Sequence, residues 1–333
     1  MRAAVLLAAG QVAVVDDWPE PTCGPEEVVV AIHGVGVCGS DLAVVRGERA
    51  VPRLPWVLGH EATGQIVEVG AAVTGRERGQ HVVIEPNFCC LTCSHCRAGA
   101  TATCQQRRVC GMSEPGLLAE RVAVPARFTW PVPARWPVED RVCVEPLAVA
   151  MTAVDRIGVA PGEPALVVGA GAQGLLACLA LQRRGAVPFA VDPHAGRMAL
   201  AGELGVRDGR VPDAPTRFPV VLETSGAPEG VASAVSRAAP DGRLALIGQS
   251  REPARLSTFD LVQRRLTVRG CLIYDHPGGF ASTIHALSTE PLAPGRVMGG
   301  RFSLSAASRA FCEAGTIAGK SWITLTGEGE TPR

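Results

Sequence analysis

The sequence carries no net charge, because 32 Lys and Arg balance 32 Asp and Glu over 333 residues. No polybasic stretch stands out, which argues against a nucleic-acid or anionic-membrane partner and for a small neutral substrate. Lysine is nearly missing: Lys320 is the only one, and codon bias in a GC-rich genome accounts for that without any mechanism. Uninterrupted apolar runs are missing too. The most apolar segment, Pro164 to Leu181, is broken by Gly169, Gly171, Gln173 and Gly174, whereas a membrane-spanning helix needs about 20 apolar residues. An export signal is imitated only weakly by Arg2 and the run Ala3 to Ala9, which reads better as a first β-strand. The expectation is a cytoplasmic protein. There is no internal repeat, and no low-complexity segment beyond the Gly/Glu/Thr/Pro end after Gly327, which is expected to fray.

What is present bounds the answer from the other side. Hydrophobic residues make up 47% and charged residues 19%, so disorder is excluded, and the length predicts two domains that each bury a core. From Met1 to about Val144 short β-branched runs such as Glu27 to Ile32 and Gly64 to Val69 are punctuated by Gly and Pro, which predicts a mostly antiparallel β domain. After Pro146 the text alternates. A helix-like stretch (Leu147 to Ile157) leads to strand Ala165 to Val168, strand Pro188 to Val191, helix Ala195 to Leu204, strand Val220 to Leu222, helix Pro228 to Ala238 and strand Arg243 to Ile247. That alternation predicts a parallel sheet covered by helices. From about Ile273 the text returns to mixed, weakly patterned segments.

Twelve cysteines without a convincing export signal point to metal ligands or buried thiols rather than disulfides. Four of them, Cys90, Cys93, Cys96 and Cys104, form C-x2-C-x2-C-x7-C, spacing that closes around one tetrahedral Zn²⁺ and leaves no position for water. This is a structural site; an Fe–S cluster is the alternative for this motif. Cys89 is adjacent, but two x2 gaps select Cys90. A second set is dispersed. Cys38 in Val-Cys-Gly-Ser-Asp, His60 in Gly-His-Glu and Glu145 in Val-Glu-Pro-Leu supply sulfur, nitrogen and oxygen donors that suit zinc with one position open, the mark of a catalytic metal.

The run Ala165 to Val168 leads into Gly169-Ala170-Gly171-Ala172-Gln173-Gly174 and a following helix. Glycines there allow a tight turn and let a pyrophosphate lie on the helix N-terminus. Asp192, closing the next strand, is placed to take the ribose 2′-hydroxyl and to repel a 2′-phosphate, so NAD is expected over NADP. Arg197, one helical turn on, is expected to stack on adenine.

With the Cys38-Gly39-Ser40-Asp41 turn, the Gly59-His60-Glu61 turn, the four-cysteine lobe and the glycine loop in that order, the chain resembles the zinc-dependent medium-chain alcohol dehydrogenases over nearly its whole length, and within them the polyol and threonine dehydrogenase branch. The resemblance implies an α/β architecture: a GroES-like β-rich catalytic domain, residues 1–147 completed by 273–333, around a doubly wound Rossmann NAD-binding domain, residues 148–272. It implies two zinc ions per chain, one catalytic and one structural, and NAD. Cys38 and His60 become catalytic-zinc ligands, with the carboxylate role shared between Glu61 and Glu145. Ser40 becomes the hydroxyl that takes the alcohol proton. Ala43 stands where many relatives carry a relay histidine, so Asp41, water or a substrate amine is left as the proton exit. Ile247, Gly248, Ile273 and Tyr274 fall at strand ends that the family sets against the nicotinamide, and Lys320 falls on a strand expected to be structural only; His33 and His81 also read as structural.

The implied reaction is hydride transfer between a secondary alcohol or ketone and NAD. The turn Cys38 to Gly47 is similar to that of aminocyclitol dehydrogenases of aminoglycoside antibiotic assembly. Asp41, Glu48 and Glu114 could pair with a cationic amino sugar; other polyols, sugars and simple secondary alcohols are the alternatives. A homodimer or homotetramer is implied, with the strand near Leu266 to Ile273 pairing across a two-fold axis. A zinc-free quinone or enoyl reductase would lack the cysteines, a zinc hydrolase would have no use for the glycine loop, and a non-catalytic NAD-binding module would not need Ser40 and a full ligand set.

Overall fold

The strand Glu27–Gly36 is buried along most of its length, as its run of Val, Ala and Ile requires. In the computed structural model, which describes residues 1–290 and 292–326, it is the axis of the first of two units, Met1–Glu145 with Met298 onward. Glu61–Val69, Arg121–Pro125 and Lys320–Thr324 all pair with it antiparallel. Lys320–Thr324 in turn pairs in parallel with Met298–Ser303, so the sheet is not wholly antiparallel. Val28, Val30, Ile32, Ile66, Val82, Ile84, Phe128 and Ile323 close the core beneath it. This wiring matters because it brings the far end of the sequence beside Gly36, Val37 and Cys38.

The second unit, Pro146–Val297, is a six-stranded parallel sheet. Numbering its strands in chain order from Pro164–Val168, they lie in the order 3-2-1-4-5-6, the doubly wound arrangement. The helix Ala172–Arg183 is buried continuously from Gly174 to Leu181, which explains its small and aliphatic sequence. Leu166, Val168, Phe189, Phe218 and Leu244 form the core, with the Phe189 and Phe218 rings edge to face at 5.2 Å.

Two boundaries differ from the sequence reading. The chain returns to the first unit at Met298 rather than at 273, because the helix Gly278–Thr289 packs with the second unit through buried Phe280, Thr283 and Ala286. The helix expected from Leu147 begins at Val144 and carries Glu145 in its first turn. Among the described residues no helix is long and apolar enough to cross a membrane.

Candidate active site

The four-cysteine lobe folds on itself. The short helix Ser94–Arg97 and the turn around Leu91, whose φ is +62°, bring Cys90, Cys93, Cys96 and Cys104 together with their sulfurs within 4.8 Å of one another. Sulfur separations of 3.9 Å (Cys90 to Cys96), 3.9 Å (Cys93 to Cys104) and 3.6 Å (Cys90 to Cys104) are far longer than a disulfide. They match the edge of a tetrahedron with ~2.3 Å zinc–sulfur bonds, about 3.8 Å. Four sulfurs at this spacing leave no volume for a multi-iron cluster. Hydrogen bonds from the Thr92 side chain, the Thr92 amide and the Cys93 amide draw the Cys90 thiol down to about 5, favouring the charged form that a metal takes. Cys89 is buried and stands outside the four.

The second cluster is built from distant strands. Cys38 caps the helix Gly39–Val45, and His60 and Glu61 sit at the start of the strand Glu61–Val69. Their ligand atoms also lie within 4.8 Å of one another, with His60 6% and Glu61 1% exposed. Asp41, fully buried, organises the group: one carboxylate oxygen bonds His60 Nδ1 at 3.0 Å and the other accepts the Cys38 amide at 3.0 Å. Nε2 is thereby the imidazole nitrogen left for a metal. Burial alone would lower the His60 pKa, but Asp41 and Cys38 outweigh it and hold it well above the ordinary value. A proton therefore competes with a cation for this nitrogen.

Glu61 is engaged from behind by Lys320, whose ammonium pairs with its carboxylate and donates to the Val37 carbonyl at 3.2 Å. Burial would lower the Lys320 pKa; Glu61 and Cys38 raise it instead. Gly36 makes room for the pair, since a Cβ there would sit 2.2 Å from Glu61 Oε2 and 2.7 Å from Lys320 Cε. Lys320 is thus part of the site and not structural only. A scarce residue type on a C-terminal strand was the one available signal for it.

The Ser40 hydroxyl, half-buried, donates to Cys38 Sγ at 3.3 Å. Glu145 is buried but is not a member of the Cys38, His60 and Glu61 cluster. Of the acidic residues expected to face an amino sugar, one is committed inside the site and two lie in surface ion pairs. Asp41 serves His60 and Cys38, Glu114 pairs with Arg108 at 3.1 Å, and Glu48 lies 4.0 Å from Arg46.

In the second unit the glycine loop has the expected geometry. Gly169 has φ +93°, a Cβ on Gly174 would meet the Gly169 carbonyl at 1.9 Å, and a Cβ on Gly171 would meet nothing, leaving that face open for a ligand. Ala172 opens the helix, and the Gln173 side chain turns back to the Pro146 carbonyl at 3.2 Å. Asp192 accepts the Ala170 amide and the His194 amide, each at 2.8 Å, tying the loop to the second strand. Arg197 lies 3.6 Å from the Asp192 carboxylate, beside the acid expected at the ribose. The amides of Ile247 and Gly248 are fixed on the Glu223 carbonyl. Tyr274 is 1% exposed, its ring edge-to-face with Phe280 at 5.0 Å, which makes it a core residue and not a wall for the nicotinamide. Ile273, half-buried at φ +33°, follows the strand Thr267–Gly270 and does not end it.

Comparison with known proteins agrees with this geometry. Residues 24–134 match the alcohol dehydrogenase GroES-like domain model and residues 172–289 the zinc-binding dehydrogenase model. An L-threonine 3-dehydrogenase of Pyrococcus abyssi is 34% identical over 265 residues, 72% of this chain and 73% of its own. The chain belongs to the zinc-type medium-chain alcohol dehydrogenase family. Among solved structures, galactitol-1-phosphate dehydrogenase of Escherichia coli superposes with a TM-score of 0.89 at 26% identity, covering 98% of this chain and 100% of that one. An NAD-dependent alcohol dehydrogenase superposes at 0.86 and 25% identity, covering 98% and 100%. This member of the family is accordingly an oxidoreductase with a GroES-like domain and a Rossmann domain.

Proposed function

We propose that this dehydrogenase transfers a hydride between a secondary alcohol and NAD, with Cys38, His60 and Glu61 holding the catalytic zinc. The observation that carries the reading is the three-donor cluster of a cysteine sulfur, an imidazole nitrogen and a carboxylate oxygen, a set that would leave a tetrahedral zinc one position for an alcohol oxygen. Zinc, when bound there, supplies Lewis acidity that lowers an alcohol's pKa, and NAD supplies the hydride acceptor. Asp41 fixes the tautomer and tilt of His60. Lys320 offsets the charge of Glu61 in a buried setting. Ser40, half-buried, accepts the alcohol proton while passing its own to water, since a hydroxyl both accepts and donates. Gly169 to Gly174 presents amides to the pyrophosphate, and Asp192, held at the end of its strand by the Ala170 and His194 amides, takes the ribose hydroxyl. Cys90, Cys93, Cys96 and Cys104 hold the structural zinc. Because Glu145 stands outside the donor cluster, the carboxylate role goes to Glu61.

For substrate, the reading is a polyol or amino alcohol with a secondary hydroxyl. For a ring hydroxyl of an aminocyclitol, Asp41 is lost as an anchor because it is committed to His60 and Cys38, whereas Glu48 and Glu114, in surface ion pairs, stay available to a cationic amino sugar. The threonine dehydrogenase relative favours an amino-alcohol arm. NADH formation against L-threonine, polyols, aminocyclitols and simple secondary alcohols tests this; no turnover on any arm with a zinc-replete enzyme would sink it.

The protein is also proposed to self-associate through the sheet edge. Thr267–Gly270 is exposed at every residue, and Phe259 and Val262, on the preceding helix Thr258–Gln263, are 72% and 71% exposed. Sedimentation at the mass of one chain would contradict this.

A further inference from the structure

At the end of the fourth strand of the parallel sheet stands a carboxylate that neither zinc chemistry nor the glycine fingerprint uses. Glu223 is 1% exposed and lies in register between Val168 and Leu246, the last residues of the flanking strands. Among the described residues no cation pairs with it. Its oxygens accept only from the loop that follows: the Ser225 amide at 2.8 Å, the Gly226 amide at 3.1 Å to each oxygen, and the Ser225 hydroxyl. A buried carboxylate satisfied by three donors within three residues forces one loop conformation, because leaving either side unpaired is costly.

That loop is wedged between two others. The Thr224 hydroxyl donates to the Gly169 carbonyl at 2.7 Å, and its oxygen is 2.9 to 3.0 Å from where Cβ atoms of Gly174 and Gly169 would lie. On the other side a Cβ on Gly248 would be 2.1 Å from the Gly226 amide and 2.8 Å from Glu223 Oε2. Ser225 Oγ accepts the Ala227 amide at 3.1 Å, at the start of the helix Pro228–Arg237. One carboxylate thus sets the spacing of three strand-end loops at which an open α/β sheet binds its ligand.

We infer that Glu223 is a positioning residue for the dinucleotide: by gathering the 225–226 amides it holds Thr224 against the glycine loop and Gly226 against Gly248. This rests on the NAD reading of that loop. The test is NADH binding, followed by fluorescence, to wild type, Glu223→Gln, Glu223→Ala, Ser225→Ala and the surface control Glu203→Gln, with zinc content and Tm measured on each.

Glutamine keeps one acceptor but aims an NH2 at the Gly226 amide, so Kd for NADH should rise about tenfold, ~1.4 kcal/mol. The rise should be larger for alanine, smaller for Ser225→Ala and absent in the control, at unchanged zinc. Should alanine fail to fold, the glutamine variant decides. A lowered Tm with unchanged Kd in Glu223→Gln overturns the positioning role and leaves NAD binding intact. A wild type that does not bind NADH overturns the NAD reading itself, and this inference with it.

Discussion

The two metal-ligand clusters of the first unit use opposite constructions. The lobe takes all four donors from residues 90–104 and surrounds its centre with sulfur. The other cluster takes donors from residues 38, 60 and 61, and needs Asp41 and Lys320 behind them. A closed thiolate shell is self-sufficient and chemically inert. An open shell of mixed donors keeps a free position, and its charges must be managed by groups that never touch the metal. Stability and reactivity therefore separate between the clusters, and mutations should separate with them.

The largest effect is expected at the open cluster itself. His60→Ala removes a donor and should lower kcat/KM by at least roughly 10³-fold, ~4 kcal/mol, while the lobe keeps its zinc; turnover and elemental analysis check both halves. Next comes the ion pair. Lys320→Met removes the cation beside buried Glu61 and should cost the zinc-free protein about 3–5 kcal/mol of stability, read by denaturant unfolding; a cost under ~1 kcal/mol would mean that the ion pair does not support the site.

Asp41→Asn is subtler. The amide can still accept from His60 but turns its NH2 on the Cys38 amide, and zinc affinity of the open cluster should fall about 10- to 100-fold, measured by chelator competition. The lobe serves as the internal reference.

The smallest effect is a pH dependence away from both clusters. Burial, Arg141 and His81 lower the His33 pKa to about 4. Arg141 donates to His81 at 2.8 Å, and the two histidine rings are 5.4 Å apart. Because the folded pKa lies below the ordinary 6.5, the fold binds neutral His33. Its contribution is whole above pH 6.5 and is lost as pH falls through about 4. His33→Gln should flatten that part of the acid-unfolding profile without changing stability at pH 8.

The same contrast explains what could be read from the amino-acid order. The lobe was legible because its ligands are neighbours in sequence and the spacing encodes the geometry. The glycine loop was legible because Gly169 and Gly174 are demanded by local backbone approach. Cys38 and His60 were found through their glycine-flanked turns. Lys320 was misread because its role depends on a strand that crosses nearly the whole chain to pair beside Gly36. Glu145 and Glu61 could not be ranked, since only tertiary placement decides which carboxylate joins the sulfur and the imidazole. Arg197 and Tyr274 could not be oriented for a related reason: position on an element does not fix where a side chain turns. One turned to Asp192 and the other into the core beside Phe280. The alternation of strands and helices predicted the parallel sheet, but the return to the first unit was set by packing of Gly278–Thr289, which no pattern announced.

We propose that the two clusters hold one zinc each and that only one of them does chemistry. Zinc per chain, measured on wild type and Cys38→Ala beside NADH formation on the alcohol panel, tests it most directly. Two zinc ions should fall to one, with NADH formation abolished and the chain still folded. One zinc in both proteins, with NADH formation unchanged by the substitution, would contradict it.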